Sequence, residues 1–483
     1  MMKRIFSIDE NPDLIKYAQA PLFKLLIIGI FWLCIYFGEA YPSDWQHIAI
    51  IAIFFVSFFP KYRYIWILCA MITLMLQTML IRSEPDWTVF RANYLYQVYK
   101  HKYKDFIGPV SIKYICIFLM LVVSETHVSF VKRFQRFTLF QYPITTSYIF
   151  LFGLILLATS GKMDQIYSLL LWAFICIYDH YYWFIAYTLH ECLITKKRNY
   201  LLDYGRYLPV WGFTLLPYGK GSIYLRQTES RNTQEMAITQ LKAIKLAFWA
   251  LILSYALKYY YIGEDYFKIP HLHAALAEYD QGIRYSVPKA WLCLVDKFFR
   301  MMLELTVMGH FFVACCRMCG FRILRNTYKP LQSPSIAEYW NRYNFYFKEL
   351  LVDFFFYPTF FRFFKNHPKF RMFFATLSAA TLGNIMFHFL LVTPIMMSFG
   401  VMHAIRGFIP FMIYALVLGI SIGLSQLHVA YAEKKPKTLI VKILSPFFVL
   451  IFYSLLCLFN VTYQSQSVMV NFKYLASLFN INW

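Results

Sequence analysis

Charge is scarce in this sequence. Only 15% of its 483 residues are Asp, Glu, Lys or Arg, and just 25 of them are acidic. A soluble domain carries nearer a quarter charged residues, so a solvated globular surface is excluded. Glycine and proline number only 18 and 19, no Gly/Ser- or Pro-rich linker divides the chain, and no fixed-period repeat is visible. A Gly-rich phosphate loop, a Ser nucleophile elbow and a carboxylate pair in a convincing context are all missing. The ten cysteines are scattered mostly within apolar runs, where Cys behaves as a small hydrophobe, so no disulfide framework is implied.

Apolar and aromatic residues take that space, at 59% and 21% of the chain. Runs suited to crossing roughly 30 Å of hydrocarbon lie at Pro21–Phe37, His47–Phe59, Tyr64–Ile81, Ile112–Val123, Ile144–Ala158 and Ile166–Leu189. Others lie at Ile244–Tyr261, Ala290–Val313, Met372–Met397, Phe408–Leu424 and Leu439–Val461. The predicted fold is an all-α integral membrane protein, a polytopic helical bundle of about eleven spans. The net charge of +22 would suggest nucleic acid in a soluble protein. Here its Lys and Arg sit between spans, in "PKYRY", "VYKHKYK", "VKRFQRF", "TKKRN" and "KKPK", where lipid headgroups and topology explain them. Both flanks of Tyr64–Ile81 are basic, which leaves orientation open.

Residues 1–20 read as an interfacial segment rather than a signal peptide, because they are charged and lack an apolar core. Residues 21–195 read as N-terminal transmembrane helices, 196–424 as a core, and 425–483 as a C-terminal transmembrane helix and tail. Within the core, Leu208–Ser230 is apolar but broken by Pro209, Pro217, Gly212, Gly219 and Gly221. Broken backbone at membrane depth survives only against protein or a water-filled cavity, so a re-entrant segment is expected. Pro334–Phe364 has helical periodicity, with Trp340, Asn344, Phe347 and Leu351 on one stripe and Glu338, Arg342, Glu349 and Asp353 opposite. Ser335 and Glu338 form a capping box that starts this helix, and Pro358 is expected to end its regular part.

The order of residues from Gly320 to Pro358, "GFRILRNTYKPLQSPSIAEYWNRYNFYFKELLVDFFFYP", resembles the signature of the membrane-bound O-acyltransferase (MBOAT) family. That signature has a Gly-Phe, an Asn, a Pro, a Ser, a Phe-Trp-Arg-Arg-Trp-His/Asn run and a closing Asp-Tyr-x-Tyr-x-Pro. Gly320, Phe321, Asn326, Pro330, Ser333 or Ser335, Tyr339, Trp340, Arg342, Tyr343, Asn344, Asp353, Tyr357 and Pro358 stand in those places. Downstream, "TLGNIMFHFLL" puts His388 where the family has its Leu-Trp-His-Gly histidine, and Met402–His403 resembles a Leu-His of the next helix. Upstream, Gly221, Ile223 and Arg226 look like the family's Gly-Pro-Ile-x-Arg region. Phe387 and Phe389 depart from the flanking Trp and Gly, and the bulk at Phe389 bears on acceptor size.

The resemblance implies a helical bundle around a central tunnel, with residues 196–424 as its catalytic core. It also implies transfer of an acyl group from a thioester, commonly acyl-CoA as co-substrate, to a hydroxyl or amine, with no bound cofactor and no metal. Such chemistry needs a base, a polar group for the oxyanion or acceptor, and exclusion of water. His388 lies 17 residues beyond Arg371, roughly 25 Å along a continuous helix, and an ionisable residue at that depth is a functional candidate. It is expected to be the general base, since imidazole takes and returns a proton near neutrality. Asn344 is expected to orient the acceptor or polarise the carbonyl. Trp340, Arg342, Asp353, Arg226, Asn326 and His403 are carried over as substrate-binding residues. Separately, Lys220, Arg226 and Arg342 lie near the expected cavity in sequence and offer cations for CoA phosphates, although most loop cations simply face headgroups.

Bacterial relatives O-acetylate or otherwise esterify cell-envelope glycans, with an accessory envelope protein, from the inner membrane. Eukaryotic relatives acylate lysophospholipids, sterols or secreted peptides. The short chain favours the envelope reading; lipid acylation is the first alternative, and a non-catalytic scaffold or transporter the second. A transporter should show paired broken helices and inverted repeats, and only one broken segment is seen. Other polar residues have plainer readings. Asp179 and His180 are adjacent and do not face the same way on a helix, while His180 and Glu191 share a face, which suits helix–helix hydrogen bonding or a lining role in the substrate tunnel. Cys315, Cys316 and Cys319 lack the partners of a zinc set and suit packing.

Overall fold

The computed structural model describes residues 7–38, 43–80, 122, 126, 129–131, 133–134, 136–161, 163–195, 220–431 and 439–481. Among these the fold is all-α, with a single isolated bridge between Glu229 and Phe321 and no strand. Among the described residues five helices are long and apolar enough to cross a membrane: Pro21–Gly38, Thr233–Gly263, Val287–Met318, Pro368–Phe399 and Val401–Tyr431. Three apolar helices are shorter, Trp45–Phe58, Ile144–Thr159 and Leu444–Leu456. Arg63–Leu80 and Gln165–Thr195 are helical as well. The expected span Ile112–Val123 falls outside the described residues except at Val122, and the re-entrant stretch Leu208–Ser230 is described only from Lys220 onward.

The chain forms two compact units that do not follow chain order. One holds Met1–Leu251, His310–Leu324 and Thr393–Gly400, and the other Ile252–Gly309, Arg325–Val392 and Val401–Trp483. In the first, helix Arg63–Leu80 begins on a buried guanidinium. Arg63 pairs with Glu229 at 3.2 Å, donates to Ser230 Oγ at 3.1 Å and lies 5.4 Å from the Phe321 ring centre. The bridge is completed by the Ser230 amide on the Gly320 carbonyl, 2.9 Å, and the Arg322 amide on Thr228, 2.8 Å. Buried Gln240 ties helices together by donating to Ser57 Oγ at 2.7 Å and to the Met318 carbonyl at 3.1 Å.

In the second unit, Val401–Tyr431 packs along Pro368–Gly383 through small residues. A Cβ on Gly419 would collide with Thr381 Oγ1, and one on Gly423 would sit 2.7 Å from the Phe373 ring. Backbones this close give van der Waals contact that does not depend on expelling water, the usual glue of apolar helices in lipid. Hydrogen bonds add to it, from Thr381 Oγ1 to the Ala415 carbonyl at 3.1 Å and from Thr376 Oγ1 to Gln426 Oε1 at 2.5 Å.

Two π-helical turns, Val352–Phe356 and Ser378–Gly383, pack against each other. The first explains Pro358. Its ring would clash with a carbonyl four residues back in an α-helix, but here the Tyr357 amide reaches back five residues to the Val352 carbonyl. The helix therefore continues as Tyr357–Arg362 instead of ending at the proline.

Candidate functional site

Helix Ile336–Tyr343 starts where Ser335 Oγ accepts the Glu338 amide at 3.2 Å. The reciprocal half of the capping box is absent, because the Glu338 carboxylate takes Arg342 Nε at 2.8 Å instead. The expected single helix breaks at Asn344, whose backbone sits at φ −136°, ψ 74°, and restarts as Phe345–Leu351. A break exposes unpaired carbonyls on one side and unpaired amides on the other. Three residues of one loop meet them. Asn326 accepts the Phe345 amide on its carbonyl (2.9 Å) and the Tyr346 amide on its Oδ1 (3.2 Å). Thr327 Oγ1 donates to the Tyr343 carbonyl at 2.7 Å, and the Tyr328 amide to the Arg342 carbonyl at 2.8 Å.

This arrangement decides what Asn344 does. An Asn at an N-cap ordinarily puts its side-chain oxygen on an amide of the first turn. Here Asn344 makes no such bond, and its Oδ1 is buried with no hydrogen-bond partner. One turn on, the Phe347 ring stands edge-on to the His388 ring at 5.8 Å.

His388 lies in the short helix Asn384–Phe389, which follows the second π turn. Its ring is walled by Phe347, by Phe387 at 5.2 Å and by Phe411 of helix Val401–Tyr431 at 4.3 Å. Its Nδ1 is buried and unpartnered. No hydrogen bond fixes the tautomer through that nitrogen.

The other residues singled out from sequence divide between the two units. Trp340 is buried against the Phe347 ring at 5.9 Å. Arg342 is half-buried and engaged by Glu338. Asp353 is half-buried inside the first π turn. Asn326, expected to touch substrate, is 1% exposed and occupied as the cap just described. His403 is exposed, with its Nε2 2.8 Å from the Tyr463 hydroxyl. Arg226 is exposed on helix Ser222–Thr228 of the other unit. Glu191 caps that same helix, accepting Ser222 Oγ at 2.8 Å and the Ile223 amide at 2.9 Å. The side chain of His180 lies outside the described residues. Cys315, Cys316 and Cys319 are buried in the packing of one helix end, and among the described residues no His, Cys, Asp and Glu group could hold a metal ion.

One residue escaped the sequence reading. Asn384 is 1% exposed, and neither its Oδ1 nor its Nδ2 has a hydrogen-bond partner. The available signal was its place one turn before His388, where an amide interrupts an apolar run as unexpectedly as the imidazole does.

Composition and fold together define an all-α membrane protein, one of whose units holds buried polar atoms of Asn344, Asn384 and His388 without hydrogen-bond partners. Compared with protein-family models and with curated proteins, the chain matches none.

Proposed function

We propose that the chain is a multi-pass membrane acyltransferase of the MBOAT type, with about eleven spans around a tunnel. It moves an acyl group from a thioester donor such as acyl-CoA to a hydroxyl of a cell-envelope glycan, in a bacterial inner membrane, alongside an accessory envelope protein. One observation carries the reading. The His388 ring stands edge-on to that of Phe347, which follows Asn344 by three residues in the same unit, and His388 and Asn344, the two residues that acyl transfer would need, each keep a buried polar atom with no hydrogen-bond partner.

A buried polar atom without a partner costs on the order of 1–3 kcal/mol, and such groups gather where a site keeps bonding capacity for something else. Three aromatic rings pack around the imidazole, and an apolar surround of this kind favours acyl transfer over hydrolysis of the thioester. The acceptor hydroxyl attacks the carbonyl carbon while its proton passes to His388. The tetrahedral intermediate then collapses, the C–S bond breaks, and His388 returns the proton to the departing thiolate.

The test is to purify wild type and His388→Ala in detergent and follow free-thiol release from acetyl-CoA and longer acyl-CoAs, with envelope extract as acceptor. Turnover by wild type and none by a folded variant supports the reading. Equal behaviour of the two with every donor overturns it in favour of a scaffold or transporter.

A further inference from the structure

Asn384 and His388 are four residues apart in one α-helical segment, Asn384–Phe389, so their side chains lie on the same face, one turn apart. Asn384 is the more deeply buried of the two, and both ends of its amide are unpartnered. The adjoining Gly383 holds this end of the helix hard against its neighbour: a Cβ there would lie 2.7 Å from the Phe355 ring and 2.9 Å from Leu351 Cδ2. The π turn that ends at Gly383 sets the rotation of the segment after it, and such turns recur where a helix must aim particular side chains. The result is a fixed amide, with a donor and an acceptor to offer, beside the base.

We infer that Asn384 is the oxyanion-binding residue of this site: its Nδ2–H donates to the carbonyl oxygen of the acyl thioester as that oxygen gains charge. The assignment rests on the acyl-transfer reading and divides its labour. Asn344 orients the acceptor hydroxyl. His388 takes its proton. Asn384 holds the oxygen that receives the carbonyl electron pair until the C–S bond breaks and the pair returns. A neutral amide suits that task in an aromatic enclosure, because it stabilises developing negative charge without placing a permanent cation there.

The experiment uses full-length protein in detergent and compares wild type, His388→Ala, Asn384→Ala and Asn384→Asp. Asp keeps the shape and, once ionised, has no donor, so its rates and analogue preference are read on the high-pH plateau where a protonated carboxyl no longer replaces the amide. Thiol release from the preferred acyl-CoA gives kcat and KM, and thermal melting reports folding. Both Asn384 variants are expected to lose about 10²–10³-fold in kcat, the size of one missing oxyanion donor, with KM for the donor nearly unchanged and melting preserved. A second readout compares two unreactive donor analogues, a ketone with CH2 in place of sulfur and an alkyl thioether without the carbonyl. Wild type should favour the ketone by about tenfold, one hydrogen bond's worth, and Asn384→Asp should lose that preference.

If wild type turns over and His388→Ala does not, while Asn384→Asp stays within twofold of wild type, the Asn384 assignment falls and the acyl-transfer reading stands. If wild type turns over no donor, both fall together. Should Asn384→Ala fail to fold, the isosteric Asp variant and the analogue preference decide.

Discussion

Asn326 caps the helix that Asn344 opens. Its carbonyl and Oδ1 accept the first two amides of Phe345–Leu351, at 2.9 and 3.2 Å, and so release the Asn344 side chain from that duty. The relation makes an unusual double-mutant cycle. In wild type, Asn344→Ala removes a buried unpartnered oxygen and is expected to leave melting unchanged or slightly raised while lowering turnover. Asn326→Ala removes the Oδ1 that accepts the Tyr346 amide, leaves the backbone bond to Phe345 in place, and is expected to cost about 1 kcal/mol. It also invites Asn344 to take over the vacated Tyr346 amide, so turnover falls as well as stability. In that background Asn344→Ala should now destabilise. Thermal melts and thiol-release rates of the four proteins check the sign change, and additivity would refute the capping relay.

Gly383 sets the spacing between the helix that carries Asn384 and His388 and the Leu351–Phe355 stretch that follows Asn344. Gly383→Ala introduces a methyl 2.7 Å from the buried Phe355 ring. Overpacking of this kind typically costs about 1–3 kcal/mol. The expected outcome is a modest fall in melting temperature and a larger fall in kcat, since small misplacements of reacting groups weigh heavily on rate. A combined Gly383→Ala, Phe355→Leu variant should recover part of both. Unchanged kinetics in the single variant would show that this contact does not govern the site.

Much of the helical framework was legible in the sequence, because a long apolar run and a capping serine are local signals. Pro21–Gly38, Val287–Met318 and Val401–Tyr431 contain the runs from which they were predicted, and Ser335 starts its helix as expected. The break at Asn344 was not legible. It depends on Asn326, Thr327 and Tyr328, which pair with it from a separate loop, and periodicity cannot see a partner distant in sequence. The π turns were hidden for a related reason: a single extra residue per turn leaves no mark on composition, so Pro358 read as a stop. Asn384 was overlooked because burial without a partner is a property of packing, not of residue type.

Glu191 offers a prediction confined to the other unit. Its carboxylate accepts both Ser222 Oγ and the Ile223 amide at the start of helix Ser222–Thr228, placing negative charge at the positive end of that helix. Glu191→Gln keeps the reach and loses the charge, and is expected to cost about 0.3–1 kcal/mol. Glu191→Ala loses the bonds as well and should cost about 1–3 kcal/mol. Hydrogen exchange at the Ile223 amide should accelerate in the order wild type, Gln, Ala. Identical exchange in all three would mean the cap does not hold this helix.

Arg63 tests whether a buried cation organises the turn between Thr228 and Arg322. It is 4% exposed, pairs with Glu229, donates to Ser230 and stacks near Phe321, while the backbone of those same residues forms the bridge. A planar guanidinium can meet a carboxylate, a hydroxyl and a ring at once, which the point charge of an ammonium cannot. Arg63→Lys is therefore expected to destabilise by about 1.5–3 kcal/mol, the loss of a charged hydrogen bond. Arg63→Met should cost more, because Glu229 then keeps its charge without its partner, and adding Glu229→Gln should recover part of that loss. If Lys substitutes without a change in melting, the geometry of the guanidinium is immaterial, and simple charge pairing with Glu229 accounts for the turn.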